Sequence, residues 1–275
     1  VDISKYKNIP VPTSYMAIKS RYDFVGGYEE HVQAGLLHVA DHHLSPGKKQ
    51  WTWGNGDFGI AWDRNLTDED GPYIELMTGV YTDNQPDFTW LQPYEEKTFT
   101  QYFMPYRELG VVKNASSDLL MNIEPDGKGA LLKVFATSIQ KSLHITVEKA
   151  GEICLDITRD ITPENVLEEF VPVDSLCDVK VSICNAKGKQ VLTWEPEPDV
   201  IKEVPEPAKA ALDPEDIRTT EQLYLTGLHL EQYRHATYSA TDYYQEAIRR
   251  DPTDVRNNNA MGLWLIRKGQ FAKAE

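Results

Sequence analysis

The 275-residue chain is short of several things, and each shortage removes a class of function. Its three cysteines, Cys154, Cys177 and Cys184, are an odd number without metal-ligand spacing. They offer neither a disulfide framework nor a zinc ribbon, and free buried thiols in a reducing, cytoplasmic compartment are expected. No apolar run reaches membrane-spanning length, and the opening residues VDISKYKNIPVP lack the layout of a secretory signal. Basic residues are scarce: 28 Lys and Arg stand against 43 Asp and Glu, a net charge of −15, which argues against nucleic acid or an anionic membrane as partner. Residues 54–59 (GNGDFG) lack the Lys-Ser/Thr of a phosphate loop, and no nucleophile elbow occurs, so no cofactor is expected. The acidic stretch 63–71 (DRNLTDEDG) fails the calcium-loop template, because Asp68 sits where the sharp-turn glycine belongs; it reads as a solvated turn. His38 and His42 have helical i,i+4 spacing, but GLLHVADHHLSPG reads as strand then loop and no Glu accompanies them, so no metal is expected either.

What is present is a multi-domain β plus α chain, and a hydrophobic fraction of 41% supports two or three cores. Residues 1–110 form a first β-domain. Its runs 14–18 and 35–40 have strand length, Trp51-Thr-Trp53 alternates, 54–59 reads as a loop, and 73–80 and 97–103 read as strands. Residues 111–194 carry short strands at 130–137, 143–149, 152–157, 178–184 and 189–194, with a hairpin turn at 185–188 and an N-cap signal at Thr162-Pro163 for a helical turn near 163–169. That spacing predicts an immunoglobulin-like β-sandwich. Residues 195–212 are a Pro/Glu-rich linker. From 213 to 275 the period becomes helical, with Asp213-Pro as a helix start. The chain opens without Met and stops inside a starting helix, which reads as a piece of a longer protein.

Chemistry concentrates in residues 71–106. Glu75 stands alone in an apolar strand; a carboxylate there is a general base if its surroundings tune it, and a solvent-facing residue of an alternating strand if they do not. Trp51, Trp53, Trp62 and Trp90 cluster in sequence, and Arg64, Asp83, Asn84, Gln85 and Asp87 lie among them. Indoles pack on the C–H faces of pyranoses while polar side chains take the hydroxyls, so this set is a candidate substrate-binding group; a β-core using tryptophan for bulk is the alternative.

Three resemblances follow from these residues. Glu75, Gln85-Pro86-Asp87 and Leu91-Gln-Pro-Tyr-Glu95 resemble the galactose-mutarotase-like superfamily of aldose epimerases, with Tyr94 in place of that family's turn glycine. This implies part of a β-supersandwich with Glu75 as the base at an anomeric hydroxyl. The implied acid is a histidine N-terminal to it, for which His38, His42 and His43 are the candidates. The continuous stretch 38–106 is similar to an uncharacterised bacterial domain family that precedes tetratricopeptide arrays. Gly227, Tyr244, Ala247 and Pro252, followed by Ala260, Gly262, Leu265, Gly269 and Phe271, resemble tetratricopeptide repeats in register. Two functions remain open: a carbohydrate-binding or carbohydrate-active protein, and an interaction protein that offers its repeats to a protein or peptide.

Overall fold

The computed structural model describes residues 2–17, 20–81, 91, 93–197, 206, 209–232 and 237–275. The chain divides into two compact units, the larger drawn from residues up to 199 and the smaller from residues 200–275. Four antiparallel sheets make up the first, and the helices described between 220 and 275 belong to the second. No helix among the described residues is long and apolar enough to cross a membrane.

Two three-stranded sheets occupy the N-terminal part of the larger unit. One has the order β1 (Thr13–Met16), β4 (Gly47–Thr52), β5 (Ile74–Gly79). The other has the order β2 (Phe24–Glu29), β3 (Ala34–Val39), β6 (Tyr102–Arg107). The strand expected at 97–103 therefore starts later and runs through Pro105. Pro105 is tolerated because β6 is the edge of its sheet. The loop expected at 54–59 and the turn at 63–71 are also corrected. Residues Asp57–Leu66 form a helix, α1, entered through extended Gly56 with Asp57 in its first turn. Phe58 and Trp62 recur at i,i+4 there, a helical signal that the surrounding glycines obscured.

Two four-stranded sheets follow. Strands β8 (Leu119–Asp126) and β9 (Gly129–Ala136) are flanked by β7 (Asn114–Ala115) and β12 (Leu167–Val171). Strands β10 (Gln140–Lys149) and β13 (Val179–Cys184) are flanked by β11 (Glu152–Ile161) and β14 (Gln190–Trp194). Inward residues of both sheets, among them Met121, Leu132, Ile145 and Val181, share one buried cluster. The run Leu119–Ile123 is buried throughout because its other face is covered as well: Leu120 and Phe135 pack with Leu37, Met104 and Tyr106 of the β2-β3-β6 sheet. No helix forms at 163–169. Residues 163–164 turn and the chain enters β12, where the strand ladder with β9 outweighs the local cap signal. The 185–188 turn forms as expected, with the Gly188 amide donating to the Asn185 carbonyl at 2.8 Å. The three thiols are free, but Cys177 is exposed and Cys154 and Cys184 are half-buried, which corrects the expectation of burial.

In the smaller unit α2 (Thr220–Gln232), α3 (Ala240–Arg250), α4 (Val255–Arg267) and α5 (Phe271–Ala274) follow one another. The start expected at Asp213 is only a 3₁₀ turn, Pro214–Asp216; α2 begins at Thr220, with the Thr219 hydroxyl accepting from the Gln222 amide. Arg250 ties that turn to α3 by donating to the carbonyls of Pro214 and Ile217. Gly227 of α2 lies against Tyr244 of α3, close enough that a Cβ would meet the ring at 2.5 Å.

Candidate functional site

The β1-β4-β5 sheet presents two faces of different chemistry. Period-two alternation puts Trp51 and Lys49 of β4 on one face with Glu75 and Met77 of β5, and Lys48 and Thr52 on the other with Ile74 and Thr78.

On the first face Trp51 stands directly across from Glu75. The Tyr73 hydroxyl donates to Glu75 Oε1 at 2.9 Å, and that bond holds the phenol above its ordinary pKa. Trp51 meets Trp53 edge-on at 4.5 Å between centroids, and Trp53 stacks on Trp62 at 4.6 Å with planes 8° apart. Phe58, one helical turn from Trp62, completes the group edge-on to Trp53. Trp53 is half-buried beneath, whereas Trp62 is 38% and Phe58 60% exposed. The structure thus gathers Trp51, Trp53, Trp62 and Glu75, carried by β4, its exit, α1 and β5, into one aromatic face with a carboxylate beside it.

Arg64 lies elsewhere, lining a cleft of about 310 Å³ with Tyr6, Ile60 and Glu69. Asp63 beside it is structural. It is 9% exposed and accepts from the Tyr73 amide at 3.0 Å and the Tyr6 hydroxyl at 3.2 Å. Burial first, and then Asp63, pushes the Tyr6 phenol up to about 12. Asp83, Asn84, Gln85, Asp87 and Trp90 lie outside the described residues.

The second face of the sheet looks onto the β2-β3-β6 sheet. A cleft of about 580 Å³ opens there, lined among others by Tyr6, Tyr28, Leu36, Asp70, Ile74 and Leu76. Two residues further along the same strand faces, beyond that cleft's lining, lie polar groups. His38 is 3% exposed and its Nε2 lies 3.1 Å from Gln101 Oε1, to which the Thr78 hydroxyl also donates at 3.4 Å. A carboxamide oxygen only accepts, so Nε2 carries the hydrogen and Nδ1 the lone pair. Lys48, directly across from Thr78, is likewise 3% exposed. Neither His38 Nδ1 nor Lys48 Nζ has a hydrogen-bond partner among the described residues. Burial chiefly lowers the pKa of both; Gln101 opposes it at His38 while Lys48 adds to it, and Asp23 opposes it at Lys48.

The other two histidines occupy the turn after β3. His42 Nδ1 donates to Asp23 at 2.7 Å and His43 Nδ1 to Asp41 at 2.9 Å, with the two rings 3.9 Å apart. Asp41, His42 and His43 bring three ligand atoms within 4.8 Å of one another, a grouping the lack of an HExxH pattern did not suggest. Glu75 and His38 do not face each other. Glu75 projects from the aromatic face of β5, and His38 is bound through Gln101 to Thr78 on the opposite one.

Comparisons with known proteins bring two domains into view. Residues 1–106 match the model of a domain of unknown function, DUF5107, and residues 114–194 match that of the second domain of YphG-like proteins. The solved structure of a TPR-domain containing protein from Parabacteroides distasonis is similar over 98% of this chain at 14% identity, with a TM-score of 0.28. This chain spans 35% of that one. At that score the likeness carries no structural argument.

Proposed function

We propose that the N-terminal β-domain, residues 1–110, binds carbohydrate on the aromatic face of the β1-β4-β5 sheet. The observation that supports this is the continuous Trp51–Trp53–Trp62 cluster, edge-on and then stacked, ending in an exposed indole, with the Tyr73–Glu75 pair across from Trp51. One side of Trp62 is occupied by Trp53 and its other side is the docking plane for a pyranose; Phe58 extends that plane and Glu75 accepts from ring hydroxyls. Binding is favoured over proton transfer at an anomeric centre, because His38, a candidate acid, belongs to the other sheet and is held through Gln101 to Thr78, on the side of β5 away from Glu75. The mutarotase-like resemblance enters here as a relation of architecture, with residues 111–194 as an immunoglobulin-like module, 195–212 as linker and 213–275 as tetratricopeptide hairpins. Unpaired cysteines support a reducing, cytoplasmic setting.

Calorimetric titration with mono- and oligosaccharides tests the site. Trp62→Ala and Glu75→Gln should each weaken binding by roughly tenfold, about 1.4 kcal/mol. Equal binding by both variants and the wild type sinks the assignment.

A second reading, protein or peptide recognition by the helical unit, is favoured by exposed Leu263 and Ile266 of α4 and exposed Phe271 of α5. If it holds, a defined partner bound by the intact chain is lost when Leu263 and Phe271 are replaced by serine, while saccharide binding is kept.

A further inference from the structure

We propose that the polar cluster around Lys48 and His38, next along the strands from the inter-sheet cleft, is a second binding site, for a hydroxycarboxylate of monosaccharide size such as a sugar acid, its carboxylate on Lys48 Nζ and a neighbouring hydroxyl donating to His38 Nδ1. The site is separate from the aromatic face, since Lys48 and Thr78 project from the side of the sheet opposite to Trp51 and Glu75.

The argument starts from polar groups that folding has buried without partners. An ammonium taken out of water and left without an acceptor is costly, as is an imidazole nitrogen without a donor. Both occur here, on the facing surfaces of two neighbouring sheets. They belong to one constellation: Lys48 is opposite Thr78, Thr78 donates to Gln101, and Gln101 holds His38. Asp23, the acid nearest to Lys48 in electrostatic effect, is already engaged by the amide and Nδ1 of His42.

What the site lacks defines its ligand. Lys48 supplies donors and needs an acceptor, preferably anionic. His38 Nδ1 supplies a lone pair and needs a donor. The dianion of a phosphate monoester offers acceptors alone and leaves the second need unmet at its own group, whereas a carboxylate next to a hydroxyl answers both. The cleft of about 580 Å³ walled by Leu36, Leu76 and Tyr28 begins two residues along from His38 and Thr78 and has room for the rest of a monosaccharide.

Titrating the whole chain with D-glucuronate and with D-glucose, as wild type, Lys48→Met and Trp62→Ala, tests the proposal. Wild type should bind glucuronate, Lys48→Met should lose it by at least tenfold, and Trp62→Ala should keep it. Wild type that ignores glucuronate, or Lys48→Met that binds it equally, overturns the proposal. A measurement on wild type alone guards against a misfolded variant. Saturation-transfer NMR should show contact with glucuronate and little with its methyl ester, and equal signals from the two would refute the site. Loss of saccharide binding in Trp62→Ala bears on the aromatic face and leaves this site standing.

Discussion

Two β-regions of the larger unit bury their interiors in opposite ways. Between the four-stranded sheets the core is aliphatic, and the one buried polar side chain of that region, Asn122, lies on the outer face of β8, where its amide donates to the Leu109 carbonyl at 2.8 Å. The region of the three-stranded sheets buries His38, Ser45, Lys48, Lys49, Thr52 and Asp63. A dry core earns stability and little else. A polar interior with unpartnered groups is kept at a cost, and that cost is the argument for placing ligand chemistry in residues 1–110 rather than in the sandwich.

The strongest way to break this contrast is to substitute in both interiors. Leu132→Ala, in the aliphatic core and fully buried, should cost about 2–5 kcal/mol in urea unfolding, the transfer and cavity penalties together. Lys48→Met should leave stability unchanged or raise it, because a thioether of similar length removes an unpartnered amine from the same space. If Lys48→Met destabilises as much as Leu132→Ala, the amine is structural and the contrast fails.

The two regions also differed in how well they could be read. The sandwich strands follow from alternation and turn chemistry, and Asn185–Gly188 closes as expected. Strand β8 escaped, because Leu-Leu-Met-Asn-Ile is buried on both faces and has no period to detect. In the first region Glu75 and the tryptophans were visible as residue types. Their meeting depends on strand register and on a helix entered through glycine, and neither is a local property. The lysine pair illustrates the limit: Lys48 and Lys49 are adjacent, so a strand must send them to opposite faces. Which one faces the histidine is settled by β4 pairing with β5.

The helical unit offers a sharper packing test, because there propensity and contact oppose each other. Ala is favoured over Gly inside a helix by about 0.5–1 kcal/mol. At position 227 the added Cβ would meet Tyr244 at 2.5 Å, and Tyr244 is fully buried. Gly227→Ala should therefore destabilise the unit by about 1–3 kcal/mol of overpacking, seen as a lower midpoint in helical circular dichroism. A gain in stability would mean that α2 and α3 slide apart freely.

A smaller effect is expected at the start of α4. Asp254 caps the helix by accepting from the Asn257 amide at 3.0 Å, and that bond lowers its carboxyl pKa. Asp254→Ala should cost about 1 kcal/mol, with Asp254→Asn close to wild type.

The smallest effect returns to the polar interior. Burial beside Lys48 lowers the pKa of His38 from 6.5, so the folded protein resists a proton that the unfolded chain accepts. The stability present above pH 6.5 is lost as pH falls from there toward the folded value. Lys48 titrates from the alkaline side, its linkage beginning near the ordinary lysine value of 10.5, and the comparison with His38→Gln, which keeps Lys48, isolates the imidazole. Among the described residues, the groups that act on the imidazole are Gln101, the edge-on ring of Phe103 at 5.1 Å and Lys48, none an acid that would stabilise the imidazolium. Melting temperatures recorded from pH 8 down to pH 5 should decline more steeply in wild type than in His38→Gln. Parallel curves for wild type and His38→Gln would show that His38 reaches water, and would remove the buried base on which the second site depends.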